Sequence, residues 1–150
     1  MAVERVSGLR EKQAMRVCIV GCGAVGSLFA ANLSMLPDVE VIAYDVNKAH
    51  VDAINEHGLR LVGAGEVVGW PHATTDAVGL PPCDFGIVAT KALHTGAAVE
   101  ATAHAFASGA VATVQNGIGN EEVIAEEVLC EGAIRRCSIG IVEVRIFVIP

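Results

Sequence analysis

The run Gly21-Cys22-Gly23-Ala24-Val25-Gly26 narrows what this chain can become more than any other feature. The residues before it, Met15 to Val20, are short, apolar and β-branched, which reads as a buried strand. The residues after it, Ser27 to Leu36, are apolar on all sides and rich in Ala and Leu, and Pro37 stops them, which predicts a helix. Between a strand and a helix, each glycine of G-x-G-x-x-G has a mechanical reason. The first permits the tight turn, the second lets backbone approach a pyrophosphate, and the third lets the helix pack against the strand. The helix start then offers unpaired N–H groups and a positive dipole end to a phosphate. A dinucleotide site over Gly21, Cys22, Gly23, Ala24, Val25, Gly26 and Ser27 follows; a turn that serves packing only is the alternative.

The rest of the pattern extends this unit. Val39–Tyr44 reads as a second strand, and Asn47 caps a helix that runs to about His57 and stops at Gly58. Leu59–Val62 and Glu66–Trp70, separated by Gly63-Ala64-Gly65, predict a hairpin inserted at the edge of the main sheet. Phe85–Ala89 and Val111–Val114 read as buried strands, with helices over His94–Ala107 and Glu121–Leu129. Alternating strands and helices imply an α/β class: a Rossmann-type, doubly wound, mainly parallel sheet with a small β-hairpin insertion. Residues 1–14 read as a flexible leader and 15–150 as one domain, 150 residues being too few for two ordinary ones. Ile139–Ile149 reads as a final strand whose bare edge would need cover, and which could drive self-association into a homo-oligomer.

Composition removes several classes of function. A net charge of −7 argues against a nucleic-acid partner, since that affinity rests on Lys and Arg neutralising phosphates. It does not oppose a small phosphate-bearing ligand held by backbone N–H groups. No apolar run approaches the roughly 18 residues of a membrane span, and the charged N-terminus is not a secretory signal. The five cysteines (18, 22, 83, 130 and 137) contain no CxxC pair, which points to free thiols and a cytoplasmic setting. The histidines form no HxxxH or HExxH spacing, so no metal site is expected.

Three further residues fall at predicted carboxyl ends of strands, where an open α/β sheet binds its ligand. Asp45, 19 residues after Gly26, is placed to accept hydrogen bonds from ribose hydroxyls and to repel a 2′-phosphate, which favours NAD over NADP. Helix capping is its alternative role. Lys91 offers an ammonium to a cofactor or a substrate carboxylate, and Asn116 offers an amide that both donates and accepts. Each alone also suits an ordinary loop. His94, one helical turn past Lys91, faces either the cofactor or the surface. Glu121 and Glu122 suit the dipole of the helix they open.

Taken together, Gly21–Ser27, His50-Val51-Asp52-Ala53-Ile54 leading to Gly58-Leu59, Thr90-Lys91-Ala92 and Asn116-Gly117-Ile118-Gly119-Asn120-Glu121-Glu122 resemble the ketopantoate reductase (2-dehydropantoate 2-reductase) family over about residues 15–128. The resemblance implies an oxidoreductase that moves hydride from NADPH to the keto group of ketopantoate, giving pantoate for pantothenate and coenzyme A synthesis. It also implies that Lys91 and Asn116 line the cofactor and substrate cleft. Three departures stand out. Asp45-Val46-Asn47 replaces the Arg that commonly holds a 2′-phosphate, leaving NADP or NAD open with Lys48 as the nearby cation. His94 stands where the family often has Gln. The family's general-acid lysine and substrate-binding acid belong to a helical second domain that these 150 residues do not include, so the chain alone is expected to bind dinucleotide but barely turn over. Another Rossmann-domain dehydrogenase for a different 2-keto or hydroxy acid, or a non-catalytic dinucleotide-binding module, are the competing readings.

Overall fold

The computed structural model describes residues 14–63, 65–116 and 118–130. The leader before Ala14 and the strand expected at 139–149 lie outside the described residues. Five strands form one parallel sheet: β1 (Met15–Val20), β2 (Val39–Tyr44), β5 (His72–Thr74), β6 (Phe85–Val88) and β7 (Ala110–Thr113). Their order is β5-β2-β1-β6-β7, so the chain first moves one way from β1 and then crosses to its other side. Strand β1 is therefore the switch point of the sheet, and a crevice opens beside its carboxyl end.

Both faces of the sheet are buried, which explains why the strands carry apolar residues without polar alternation. Val17 and Ile19 of β1 point to one face, with Val41, Ala43 and Ile87; Cys18 and Val20 point to the other, with Ile42, Val88 and Val111. Helices α1 (Ala24–Leu33) and α2 (Lys48–His57) cover the first face through Ala30, Ala31, Val51 and Ile54. Helices α3 (Thr95–Thr102) and α4 (Asn120–Cys130) cover the second through Val99, Ile124 and Val128, joined by Phe106. The expected doubly wound α/β class is the observed one.

Local differences from the sequence reading have physical causes. Helix α1 starts at Ala24, not Ser27, because the turn's last glycine is already helical, and it ends at Leu33, ahead of Pro37. The helix expected over 94–107 is broken: single 3₁₀ segments, Ala92–His94 and Ala103–Phe106, flank α3. Thr102 turns its hydroxyl back onto the carbonyl of Ala98 at 2.8 Å, and the carbonyl of Ala105 accepts from the Cys83 N–H at 2.7 Å instead of continuing the helix. Strands β3 (Leu59–Val62) and β4 (Glu66–Gly69) pair antiparallel as expected, but as a separate two-stranded sheet lying on α1, not as an extension of the main sheet's edge.

The three-residue strand β5 was not anticipated from the sequence. Its outer edge is closed by one side chain: Asn55 of α2 donates to the carbonyl of Ala73 and accepts from its N–H, both at 2.9 Å. The amide thus replaces a neighbouring strand at a buried residue and blunts an edge. It also fixes the end of β2, because the N–H of Asp45 donates to the carbonyl of Thr74 at 3.2 Å. Replacing Asn55 with Leu strips the partners from a buried N–H and a buried C=O. We expect the variant to lose about 2 kcal/mol, seen as a lower urea midpoint with an unchanged slope. A midpoint equal to that of the parent chain would refute this role for Asn55.

Candidate functional site

The glycine turn is built by close approach. Gly21 has φ +92°, a conformation that side-chain-bearing residues rarely adopt. A Cβ at Gly26 would collide with the carbonyl of Gly21, so the third glycine lets α1 start hard against the turn. Gly23 differs: its Cβ position has nothing within 4 Å, and the residue is exposed. That open space leaves the backbone at Gly23 accessible to close approach. No side chain caps the start of α1, and its first turn carries no acid, so the dipole end is not neutralised from within.

The peptide of Cys22 is pinned from both sides. Its N–H donates to the Asp45 carboxylate at 2.8 Å. Its carbonyl accepts from the Ser27 hydroxyl at 2.9 Å and from His50 Nε2 at 2.8 Å, which requires the ring to carry its proton on Nε2. The second Asp45 oxygen accepts from the N–H of Asn47 at 2.9 Å, and Asn47 in turn caps α2 by accepting from the His50 N–H. Asp45 therefore ties the turn after β2 to the turn after β1, a role that the sequence reading did not assign. Cys22 itself is 1% exposed, and burial, then the Asp45 charge, push its thiol up to about 12. The same two causes, in the same order, raise the Tyr44 phenol above its ordinary value.

A cleft of about 340 Å³ opens at the carboxyl ends of β1, β2 and β6. The glycine turn (Gly21, Gly23), the end of β2 (Tyr44, Asp45, Val46) and the segment after β6 (Ala89 to Lys91, with His94) line it. Three of the residues singled out from the sequence, Asp45, Lys91 and His94, thus share one cleft, with exposed Lys91 and His94 across from the carboxylate. Asn116 does not line it. It is exposed on the loop after β7, where its carbonyl accepts from Asn120 at 3.3 Å. Cys22, Ala24, Val25, Gly26 and Ser27 shape the turn without lining the cleft. Lys48, the nearby cation, is engaged with Asp52 at 2.8 Å. Glu121 and Glu122 sit in the first turn of α4. Among the described residues no group of three or more His, Cys, Asp or Glu could hold a metal, and no helix is long and apolar enough to cross a membrane.

The sequence reading passed over His50 and Gln115 as site-forming residues. His50 was visible only as part of a helix start, and Gln115 only as the neighbour of Asn116. Nothing in their spacing announces that each reaches a residue 28 or 25 positions away.

Fold and turn together define a Rossmann-type α/β domain with a cleft at its switch point. More specifically, the chain belongs to the ketopantoate reductase PanE/ApbA family, whose sequence profile matches residues 17–149. It is 40% identical over 113 residues to the 2-dehydropantoate 2-reductase of Pyrococcus abyssi, covering 75% of this chain and 36% of that protein. The solved PanE/ApbA family ketopantoate reductase of Ralstonia eutropha JMP134 superposes with a TM-score of 0.67 at 30% identity, over 75% of this chain and 38% of the other. A D-mandelate dehydrogenase solved with NADH and anilino(oxo)acetate gives a TM-score of 0.69 at 29% identity, over 76% and 37%. The chain thus spans little more than a third of the length of these relatives.

The thiol supplies a test of the turn. A free cysteine with its ordinary value of 9.0 is about one-tenth thiolate at pH 8; one at about 12 is about 10⁻⁴ thiolate. Alkylation of Cys22 by iodoacetamide at pH 8, followed by mass spectrometry, should run on the order of 10³ times slower in the folded chain than in urea. Because the folded chain keeps this proton to higher pH, its contribution to stability is complete below about pH 9 and is lost as pH rises from there toward 12. Equal labelling rates in the folded and unfolded chains would mean that Cys22 is not held as described.

Proposed function

We propose that this chain supplies the cofactor-binding part of an NAD(P)H-dependent oxidoreductase that reduces ketopantoate to pantoate. The observation that carries the reading is the glycine turn itself. It joins β1 to α1 at the switch point, with open space over Gly23 and an acid-free helix start facing a cleft. These residues fit a nicotinamide dinucleotide: Gly21, Gly23 and the first N–H groups of α1 would take the pyrophosphate, and Asp45 the adenosine ribose. Such a cofactor, when bound, supplies the hydride.

What the chain's own residues contribute is placement and charge. Asp45, with each oxygen already accepting one backbone N–H, keeps further lone pairs for ribose hydroxyls. The exposed ammonium of Lys91 offers a partner for a phosphate or a substrate carboxylate, and the exposed Asn116, outside the cleft lining, would offer its amide only to a substrate that extends past the cleft. Reduction of a 2-oxo acid converts the carbonyl C=O into a C–H bond and an O–H bond. The carbon takes the hydride and the oxygen takes a proton from a general acid. A 2-oxo acid is the substrate class that the family name indicates, and the anilino(oxo)acetate held by the mandelate dehydrogenase presents the same arrangement of a carbonyl beside a carboxylate, its carbonyl being that of an amide.

We further propose that NADH is the preferred form. The Asp45 carboxylate would stand beside a 2′-phosphate, and Lys48, the cation best placed by sequence to offset it, is already paired with Asp52. Titration of the chain with NADH and NADPH, followed by nicotinamide fluorescence, tests both statements. We expect tighter binding of NADH, and in Asp45→Ser a shift of the affinity ratio toward NADPH of about tenfold or more, equivalent to about 1.4 kcal/mol. The ratio is the informative quantity, since losing the Cys22 contact weakens both forms. Binding of neither form at roughly millimolar concentration would sink the dinucleotide reading.

A further inference from the structure

We infer that the side-chain amide of Gln115 is a positioning device that holds the segment Thr90–Thr95, and with it Lys91, at the mouth of the cleft. This rests on the reading of that cleft as a dinucleotide site and assigns control of it to a residue outside its lining. Gln115 follows β7, whereas Lys91 follows β6. The Gln115 Nε2 donates to the carbonyl of Thr90 at 2.6 Å and to the Thr95 hydroxyl at 2.7 Å, with Thr90 Oγ1 also near at 3.2 Å. Its Oε1 accepts from the Thr113 hydroxyl at 3.0 Å, and that hydroxyl accepts from the Gln115 N–H at 3.2 Å. Both ends of the amide are thus consumed inside the protein. Its orientation is fixed as well, because a flipped amide would set an oxygen against the carbonyl of Thr90.

The two residues that Gln115 grips flank Lys91 on both sides, and the Lys91 carbonyl accepts from the His94 N–H at 2.8 Å to close the short 3₁₀ turn. Thr95 is 1% exposed, so its hydroxyl depends on these partners for hydrogen bonding. Thr90 also touches the glycine turn. A Cβ at Gly21 would stand 2.7 Å from Thr90 Cγ2 and 3.0 Å from its backbone nitrogen. One amide from the far side of β6 therefore sets the position of the residue on which Gly21 rests and of the residue that presents the ammonium. Asn116, next in sequence, is left exposed and uncommitted by this network.

Gln115→Glu preserves size but sets a carboxylate oxygen against the carbonyl of Thr90. Thr95→Val removes one acceptor without changing shape, and Thr95→Ser restores it. Dissociation constants for NADH measured in these variants, each with Lys91 present and as Lys91→Ala, separate placement from packing. We expect Gln115→Glu to weaken NADH at least about tenfold and Thr95→Val about threefold, both losses shrinking in the Lys91→Ala background to the part carried by Thr90 against Gly21. Thr95→Ser should match the parent chain. Losses that persist undiminished without Lys91, or a Gln115→Glu chain that binds as the parent does, would overturn the inference. Amide hydrogen exchange over residues 89–95 judges it without any ligand. Gln115→Glu and Thr95→Val should exchange about tenfold faster there, and Thr95→Ser should not. A parent chain that binds no dinucleotide removes the reading of the cleft, whereas unchanged exchange in Gln115→Glu and Thr95→Val removes the role of Gln115.

Discussion

Everything at the cleft side of this domain depends on how near α1 comes to the turn that precedes it. Gly26 leaves no room for a Cβ beside the carbonyl of Gly21, and Gly21 itself needs a positive φ. With a side chain at either place the helix would start further away, and its first N–H groups would no longer face the crevice beside β1. The close start also explains the fastening around it. The turn is too tight to satisfy its own polar groups, so the Cys22 peptide is completed by Asp45, His50 and Ser27, two of them from the segment after β2. The Gly-rich turn and the β2–α2 turn behave as one piece for that reason.

The sheet supplies the second constraint. Because β1 is flanked by β2 on one side and β6 on the other, the turns that follow these three strands converge on a single cleft. Burial of both faces demands apolar strands and small contacts where helices cross them. Ala30, Ala31 and Ala43 on one side, and Gly86 beneath the ring of Phe106 on the other, meet that demand. The low aromatic content, 4% of the chain, suits this close layering.

How much of this the sequence disclosed differs by type of feature. Strands β1, β2, β6 and β7 were legible because a fully buried strand writes itself as an unbroken apolar run. The hairpin was legible because its glycines punctuate it, although its separation from the main sheet was not. Helix α1 was set three residues late because glycine in Ala24-Val25-Gly26 argues locally for a turn, and only the packing against Gly21 makes it helical. Strand β5 is three residues long, and its outer edge is closed by a side chain of α2, so no local pattern could announce it. The site divides in the same way. Asp45 and Lys91 were singled out from their places at strand ends, and His94 from its position one helical turn past Lys91. The second task of Asp45, as acceptor for the Cys22 N–H, depends on a partner 23 residues away and has no signature in spacing. The amide of Gln115 is hidden for the same reason.

A net charge of −7 would oppose a pyrophosphate if the whole surface acted as one field, but screening over about 10 Å makes the local arrangement decide. At the cleft that arrangement is mixed. The uncapped start of α1 contributes a positive dipole end and has no acid in its first turn, whereas α4 carries Glu121 and Glu122 in the corresponding place. Lys91 and His94 stand across from the single carboxylate of Asp45. That carboxylate is spent on two backbone N–H groups, which spreads its charge into the turn while leaving it able to accept hydroxyls. On the proposed reading the cleft would take an anion at the glycines and neutral hydroxyls at the end of β2, with the acidic remainder of the surface screened from it.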